Sequence, residues 1–173
     1  MIVLMAGLPG CGKTTLARAL AERLSGAVLD KDQVRAALFA PPDIDYSTGQ
    51  DDFCQRLMLE AAAFLLKKDP RRFVFLDGRP FSRGYQIEEA IRAAEALRQP
   101  WRILECVCTE EEAQRRIETQ AAAGEHPASN RDYELYLRVK ARFEEITLPK
   151  TVIDTSRPLA ECVHQAMKAL DSA

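Results

Sequence analysis

The chain has 173 residues, of which 47% are hydrophobic and 29% are charged. This length and composition predict one domain spanning residues 1–173, and they exclude disorder as the main state because the apolar content is enough for a core. With 24 Lys and Arg against 26 Asp and Glu, the net charge is −2. That balance argues against a protein that coats a polyanion, since such domains are strongly basic, but it allows one local basic site.

Short apolar runs alternate with helical patterns, which predicts β-α-β units and a parallel sheet covered on both faces. The predicted strands are Ile2–Ala6, Ala27–Leu29, Phe73–Leu76, Arg102–Val107 and Thr151–Ile153. The predicted helices are Lys13–Leu24, Lys31–Phe39, Gly49–Lys67, Arg83–Arg98, Glu110–Ala121, Asp132–Glu145 and Leu159–Leu170. Two stretches between helices, Pro41–Thr48 and Ala123–Arg131, are predicted to be mobile loops suited to a lid or an acceptor-binding flap.

No apolar run is long enough for a signal peptide or a membrane span, so we expect a cytoplasmic protein without a membrane partner. The cysteines are odd in number and form no Cys-x-x-Cys pair, so neither a disulfide framework nor a zinc site is expected. They are Cys11, Cys54, Cys106, Cys108 and Cys162. The sequence carries no signal of oligomeric state.

The segment from Gly7 to Thr14 reads G-L-P-G-C-G-K-T and fits the Walker A pattern G-x-x-x-x-G-K-[ST]. It follows a predicted strand and opens a predicted helix, the setting in which backbone N–H groups cradle phosphate. We expect Lys13 to reach the β- and γ-phosphates of ATP and the Thr14 hydroxyl to ligate Mg²⁺. The predicted nucleotide-binding residues are Gly7, Leu8, Pro9, Gly10, Cys11, Gly12, Lys13, Thr14 and Thr15. Cys11 is interpreted as a small space-filling residue, with a redox role as the alternative.

The rest of the sequence favours a phosphotransferase over a switch or a motor. A GTPase is expected to carry Asn-Lys-x-Asp, which this sequence lacks. The third predicted strand is followed by Asp77 and Gly78 rather than by the Asp-Glu of a motor ATPase. Asp77 is therefore a candidate for holding Mg²⁺ through water, and a carboxylate that caps a turn is the alternative.

Asp32 and Arg35 lie three residues apart after the second predicted strand, so they share a helix face at the carboxyl end of the sheet. Asp32 is the candidate catalytic base. Arg35 is a candidate catalytic and acceptor-binding residue, above all for an acceptor that carries a phosphate. The alternative is that Asp30 or Asp32 caps the helix and Arg35 forms a surface ion pair.

Further side chains are candidates for binding the acceptor, in a region expected at about residues 32–66. Arg79 and Arg83 follow the third strand and can point at phosphate or acceptor. Tyr46 lies in the Pro41–Thr48 loop, which is expected to shape the acceptor pocket.

Arg115 and Arg116 are candidate catalytic cations, because phosphoryl transfer spreads negative charge that a mobile arginine can neutralise. They would belong to a lid at about residues 115–135, in which Arg131 is a further candidate. A solvated, salt-bridged face with Glu112 is the alternative.

With these motifs the sequence resembles the P-loop kinase superfamily, in particular its polynucleotide-kinase-like and zeta-toxin-like small kinases, which include AAA-family ATP-binding proteins. The resemblance covers most of the chain and implies a three-layer α/β/α P-loop NTPase fold. That fold has a five-stranded parallel sheet in the order 2-3-1-4-5 and a short lid. At matching positions the resemblance implies that Asp32 is the base and that Arg35 binds the acceptor, and Asp77 matches the acidic residue that closes the third strand.

Arg116 matches the first lid arginine of that branch, but Gln120 stands where the branch has another arginine four residues later. Either Arg115 or Arg131 takes that role, or the lid differs.

The expected function is transfer of the γ-phosphoryl group of Mg-ATP to a hydroxyl of a small molecule, or to a nucleotide or nucleic-acid 5′ end. Adenylate kinases also carry Asp-x-x-Arg and Asp-Gly-x-Pro, and the second pattern matches Asp77–Pro80 of this chain. A nucleoside monophosphate kinase is therefore one alternative. Their Walker loop reads Gly-Lys-Gly-Thr, however, where this chain has Gly-Lys-Thr-Thr. The alternative from another class is an ATP-binding regulatory module with little turnover.

Overall fold

The computed structural model describes residues 1–123 and 132–171, and within these residues five strands form one parallel sheet. The strands are β1 (Ile2–Ala6), β2 (Ala27–Asp30), β3 (Val74–Asp77), β4 (Trp101–Val107) and β5 (Thr151–Asp154). They are hydrogen-bonded in the order β2-β3-β1-β4-β5, all parallel. The expected strand order 2-3-1-4-5 is confirmed.

Seven α-helices and one short 3₁₀ turn, Pro41–Asp43, connect the strands over the same residues. The helices are α1 (Lys13–Leu24), α2 (Lys31–Leu38), α3 (Thr48–Lys68), α4 (Gly84–Ala96), α5 (Glu110–Ala123), α6 (Tyr133–Ala141) and α7 (Leu159–Asp171). Among the helices described, none is both long and apolar enough to cross a bilayer.

Two apolar layers cover the sheet, one on each face. Successive residues of a strand point to opposite sides, so Val3 of β1 packs with α1 and α7 while Leu4 packs with α3 and α4. Leu16 belongs to the first layer, and Met58 and Ala90 belong to the second. This arrangement explains why every residue of β1 is both apolar and buried. The three-layer α/β/α architecture is confirmed.

The carboxyl ends of β1, β2 and β3 meet at one edge of the sheet. Asp30, the last residue of β2, pairs in register with Asp77, the last residue of β3. The Gly7–Thr14 loop follows β1 at the same edge. In open parallel sheets this edge is where ligands bind.

One predicted element is wrong at its end: the helix expected over Asp132–Glu145 stops at Ala141. Glu144 is held by the start of α4 instead, where its backbone N–H donates to Ser82 O at 2.9 Å and its carboxylate accepts from Gly84 N at 2.7 Å. Leaving the helix also lets Ile146 pack in the second apolar layer. The other predicted boundaries agree with the structure to within two residues.

The stretch expected to be a loop over Pro41–Thr48 contains the 3₁₀ turn and ends where α3 begins. The second expected loop, Ala123–Arg131, lies outside the described residues except for Ala123, which ends α5. Arg131, with most of the expected lid loop, is therefore outside them too.

Gly78→Ala should lower the free energy of unfolding by about 2–4 kcal/mol. Gly78 has φ +80°, and a Cβ there would lie 2.6 Å from Asp30 Oδ1 and 2.8 Å from Lys31 N. Gly49→Ala is the matched control, because a Cβ there would lie 3.7 Å from Ser47 Oγ, and it should be neutral or slightly stabilising. Urea denaturation of both variants measures the difference, and equal losses would contradict the proposed backbone constraint.

Candidate active site

A cleft of about 980 Å³ runs along the carboxyl edge of the sheet. It is lined by the glycine-rich loop, α2, the first turn of α3, the loop after β3, α5, α6 and the segment after β5. The phosphate-loop end and the α2–α3 end therefore belong to one continuous space.

The glycine-rich loop folds around the Lys13 side chain. Lys13 Nζ donates hydrogen bonds to Gly7 O and Leu8 O, both at 2.8 Å, and lies 3.7 Å from Cys11 Sγ. Gly12 has φ +77° and precedes α1, which has no side-chain cap within the described part of the chain. The first N–H groups of α1 and the ammonium of Lys13 thus face the same loop, an arrangement suited to phosphate oxygens.

All five cysteine thiols are free. Cys11 is buried in the loop beside Cys106, whose thiol pKa is raised mainly by burial and further by Cys11. The burial of Cys11 in the loop favours the interpretation that this residue fills space.

Thr155, just after β5, links the glycine-rich loop to β4. Its Oγ1 lies 3.0 Å from both Cys11 O and Val107 O, and it donates its proton to one of these carbonyls. The same Oγ1 accepts from Arg116 Nη1 at 3.2 Å, and Thr155 O accepts from Arg116 Nη2 at 2.8 Å. A Cβ on Gly12 would lie 3.3 Å from Arg116 Nη1, so this guanidinium sits directly beside the loop.

The two neighbouring arginines of α5 have different surroundings. Arg116 lines the cleft, whereas Arg115 has a 66% exposed side chain and binds Glu112 through two hydrogen bonds of 2.9 and 2.7 Å. Glu112 also accepts from Arg116 Nε at 2.7 Å. The hydrogen bond from Arg115, followed by that from Arg116, lowers the pKa of Glu112 to about 2, so its carboxylate is ionised at neutral pH.

Two carboxylates lie at the ends of β2 and β3. Asp30 caps α2 by accepting from Asp32 N at 2.9 Å, so the cap is Asp30 and not Asp32. The pKa of Asp30 is raised, mainly by burial and then by the negative charge of Asp77. Asp77 is fully buried, and neither of its carboxylate oxygens has a hydrogen-bond partner among the residues that the structure describes. A buried carboxylate of this kind fits a hydrated Mg²⁺, which binds proteins through one or two carboxylates and otherwise keeps its water.

Asp32 and Arg35 form a buried ion pair rather than a surface one. Arg35 Nη1 donates to Asp32 Oδ1 at 2.7 Å, and Lys31 Nζ lies 3.0 Å from the same oxygen. Asp51, in the first turn of α3, binds Arg35 Nη2 and also Lys31 Nζ, the latter at 2.9 Å. Burial lowers the pKa of Lys31, while the adjacent Asp32 acts to raise it.

Arg79 is held in a second buried cluster. Its Nη1 donates to Gln55 Oε1 at 2.9 Å, and its Nη2 donates to Asp52 of α3. The hydroxyl of Tyr85 donates to Asp52 Oδ1 at 3.1 Å. Arg83, in contrast, is half-exposed and pairs with Glu144 at 2.9 Å.

The aromatic ring of Tyr46 lies 5.0 Å from Arg35 Cζ, a cation–π contact that brings this residue to the α2–α3 end of the cleft.

The cleft brings together most of the site residues expected from the sequence. Those that line it are Pro9, Gly10, Gly12, Lys13, Thr14, Thr15, Asp32, Arg35, Tyr46, Arg79, Arg83 and Arg116. Gly7, Leu8, Cys11 and Asp77 adjoin these residues in the chain without lining the cleft, as far as the described residues define it. Arg115 does not line it either, on the same basis.

Five residues with polar contacts at the site were not expected from the sequence: Lys31, Asp51, Asp52, Gln55 and Thr155. Asp51 and Asp52 fall in the first turn of α3, where Ser47 is the N-cap and acidic residues are common on helix-dipole grounds alone. Because acidic residues in a first turn need no partner, the sequence does not indicate that these two pair with arginines. Their position in an expected acceptor-binding helix is the one signal that points to them.

The AAA domain family matches residues 2–146 of the sequence. The chain belongs to this family. None of the curated proteins matches the chain in sequence.

Several solved structures share the fold over nearly the whole chain. One is the APS kinase CysC of Mycobacterium tuberculosis in complex with AMPPNP and APS, at 19% identity and a TM-score of 0.73, covering 98% of this chain and 96% of that one. A gluconokinase from Sinorhizobium meliloti 1021 has 18% identity and a TM-score of 0.71, with 99% and 91% covered. Chaetomium thermophilum Kti12 in complex with ADP-AlF3 has 17% identity and a TM-score of 0.75, with 99% and 98% covered. Together with the family match, these likenesses confirm the resemblance to the P-loop kinase superfamily.

Asp30→Asn should stabilise the protein more at pH 7 than at pH 4. The pKa of Asp30 is raised above its ordinary value of 3.8, so the wild-type protein loses stability as the pH rises through that raised pKa and the buried carboxyl ionises. Asparagine keeps the helix cap but cannot ionise. The measurement is the free energy of unfolding of the wild type and of the variant at both pH values. The same difference between them at pH 4 and pH 7 would contradict a raised pKa for Asp30.

Asp30→Ala separates the cap from the charge. It removes both, so at either pH Asp30→Ala should be less stable than Asp30→Asn by about 1 kcal/mol, the contribution of the cap.

Proposed function

We propose that this chain, as one domain, transfers the γ-phosphoryl group of ATP to a hydroxyl group of an acceptor. One observation carries the proposal: a single cleft is lined by the Lys13 loop at one end and by the buried Asp32–Arg35 pair at the other. A phosphate cradle that faces a carboxylate across a shared space is what a phosphotransferase requires.

The family and the fold of the chain support nucleotide binding and phosphotransfer as its general activity. Two of the similar structures contain a nucleotide or a nucleotide analogue, AMPPNP in one and ADP-AlF3 in the other. By analogy, we assign the glycine-rich loop of this chain to the phosphates of ATP.

At the nucleotide end, we assign phosphate binding to Lys13 and to the backbone N–H groups of the loop. Mg²⁺, when bound, would neutralise charge on the phosphates. The Thr14 hydroxyl and the carboxylate of Asp77 are the groups that would hold it, and the partnerless oxygens of Asp77 support this role.

At the acceptor end, Asp32 accepts the proton of the attacking hydroxyl, a role that contributes roughly 10²–10⁴ in rate. Arg35 and Lys31 both contact Asp32 Oδ1, at 2.7 and 3.0 Å, and so orient the carboxylate.

Arg116 is the candidate cation for the charge that develops on the transferring phosphoryl group. Thr155 and Glu112 hold its guanidinium beside the loop through hydrogen bonds of 2.7–3.2 Å. The exposed, Glu112-bound Arg115 is a weaker candidate on this geometry.

Lys13→Ala should lower acceptor-dependent ADP release by at least about 10²-fold, because it removes the charge expected at the β- and γ-phosphates. The assay presents Mg-ATP with a panel of sugars, nucleosides, nucleoside monophosphates and RNA 5′ ends. Lys67→Ala, an exposed lysine of α3, is the control and should retain full activity.

Acceptor-independent ATP turnover would instead favour a regulatory module, and turnover with nucleoside monophosphates alone would favour a nucleoside monophosphate kinase. Unchanged activity of a correctly folded Lys13→Ala protein would overturn the assignment of the loop.

Arg116→Ala should lower kcat by about 10³-fold or more, whereas Arg115→Ala should stay within about twofold of wild type. The two residues are neighbours on one helix, so each variant controls for the other's effect on helix stability. The measurement is kcat of each variant under saturating ATP. A larger loss of kcat in Arg115→Ala than in Arg116→Ala would assign the catalytic cation to Arg115 instead.

A further inference from the structure

The cationic side chains at the acceptor end are already paired with carboxylates of this chain. Arg35 binds Asp32 through Nη1 and Asp51 through Nη2. Lys31 contacts the same two carboxylates, at 3.0 and 2.9 Å. Arg79 binds Asp52 through Nη2.

The buried part of this cluster is balanced in charge. Three cations, Lys31, Arg35 and Arg79, have side chains that are 8%, 3% and 3% exposed. Three carboxylates contact them: Asp32, Asp51 and Asp52. A phosphate or carboxylate brought into this space would find no excess positive charge to offset the loss of its hydration, so its binding would be unfavourable in these partly desolvated surroundings.

What the cluster still offers is hydrogen-bond donors and acceptors without an excess of either charge. Arg35 Nε and Arg79 Nε are buried donors without a hydrogen-bond partner among the described residues, and both side chains line the cleft. The carboxylates beside them are acceptors. A hydroxyl group both accepts and donates, so it can satisfy a guanidinium N–H and a carboxylate oxygen together, whereas an ionised phosphate or carboxylate is mainly an acceptor.

Two aromatic rings accompany the two arginines. Tyr46 lies 5.0 Å from Arg35 Cζ and Tyr85 lies 6.0 Å from Arg79 Cζ, measured to the ring centroids. Both tyrosines line the cleft. Each ring adds apolar surface to the cleft, which suits the carbon skeleton of a polyol.

We propose that Asp51 and Asp52 make this chain specific for an uncharged, hydroxyl-rich acceptor and exclude acceptors that carry a phosphate or carboxylate at the Arg35–Arg79 end of the cleft. This proposal rests on the proposed function. It assigns a selective role to the first turn of α3, because that turn neutralises arginines that would otherwise bind anions.

The first experiment compares matched acceptors with wild-type protein and Mg-ATP. Each set shares one skeleton: glucose with gluconate and glucose 6-phosphate, ribose with ribose 5-phosphate, and adenosine with AMP. The neutral member of a set should have the larger kcat/KM, by about 10²-fold. Preference for a phosphorylated or carboxylated member would overturn the proposal while leaving the proposed function intact.

The second experiment does not require turnover, so it tests the proposal even if no acceptor in the panel reacts. Protein loaded with AMPPNP and Mg²⁺ is titrated with inorganic phosphate and with gluconate by calorimetry. Wild-type protein should show no saturable binding up to about 10 mM, whereas Asp51→Asn should bind phosphate with a Kd of about 1 mM or below, because one carboxylate charge beside Arg35 is removed.

Asp52→Asn provides a second, independent variant beside Arg79, and Glu60→Gln is the control on an exposed part of the same helix. Thermal unfolding confirms that each variant is folded, so that a failed fold is not read as a binding effect. Tight phosphate binding by the wild-type protein, or no gain in either asparagine variant, would overturn the proposal. A complete lack of ATP turnover with every acceptor would count against the proposed function alone.

Discussion

The parallel pairing of β2 with β3 is the constraint on which the candidate active site depends. Its register places Asp30 beside Asp77, so two carboxylates share one edge of the sheet. Gly78 then turns against the start of α2 in a space that has no room for a Cβ. Because the strand end and the helix start are pressed together, Asp32 and Arg35 face the same cleft as the glycine-rich loop.

Burying three cations at this edge creates a second requirement, because a buried charge must have a partner. The first turn of α3 meets that requirement by supplying Asp51 and Asp52. A helix that packs on the sheet through Met58 and Ala62 thereby also becomes part of the wall of the cleft. The same helix therefore packs against the sheet and supplies carboxylates to the cleft, so α3 helps to determine which acceptors can bind.

The elements of the fold were largely predictable because their signals are local. Strands buried on both faces must be almost wholly apolar, as β1 and β3 are, and the short apolar runs of this sequence predict strands. The helix expected over Asp132–Glu145 is shorter because Glu144 binds Gly84 and Ile146 enters the core, and both partners are distant in the chain. The two arginines of α5 illustrate the same limit: spacing alone treats Arg115 and Arg116 alike, whereas packing places only Arg116 beside Thr155.

The sequence by itself determined the phosphate loop and the class of fold. Strand, glycine-rich turn, lysine and helix are contiguous, so their geometry follows from local backbone preferences. Only the tertiary structure decided which carboxylate neutralises which cation at the acceptor end. Arg35 and Asp51 are 16 residues apart, and Arg79 and Asp52 are 27 apart. Such pairs form because the packing of α2, α3 and the loop after β3 removes water from these charged groups. A buried charge is unfavourable unless an opposite charge lies beside it.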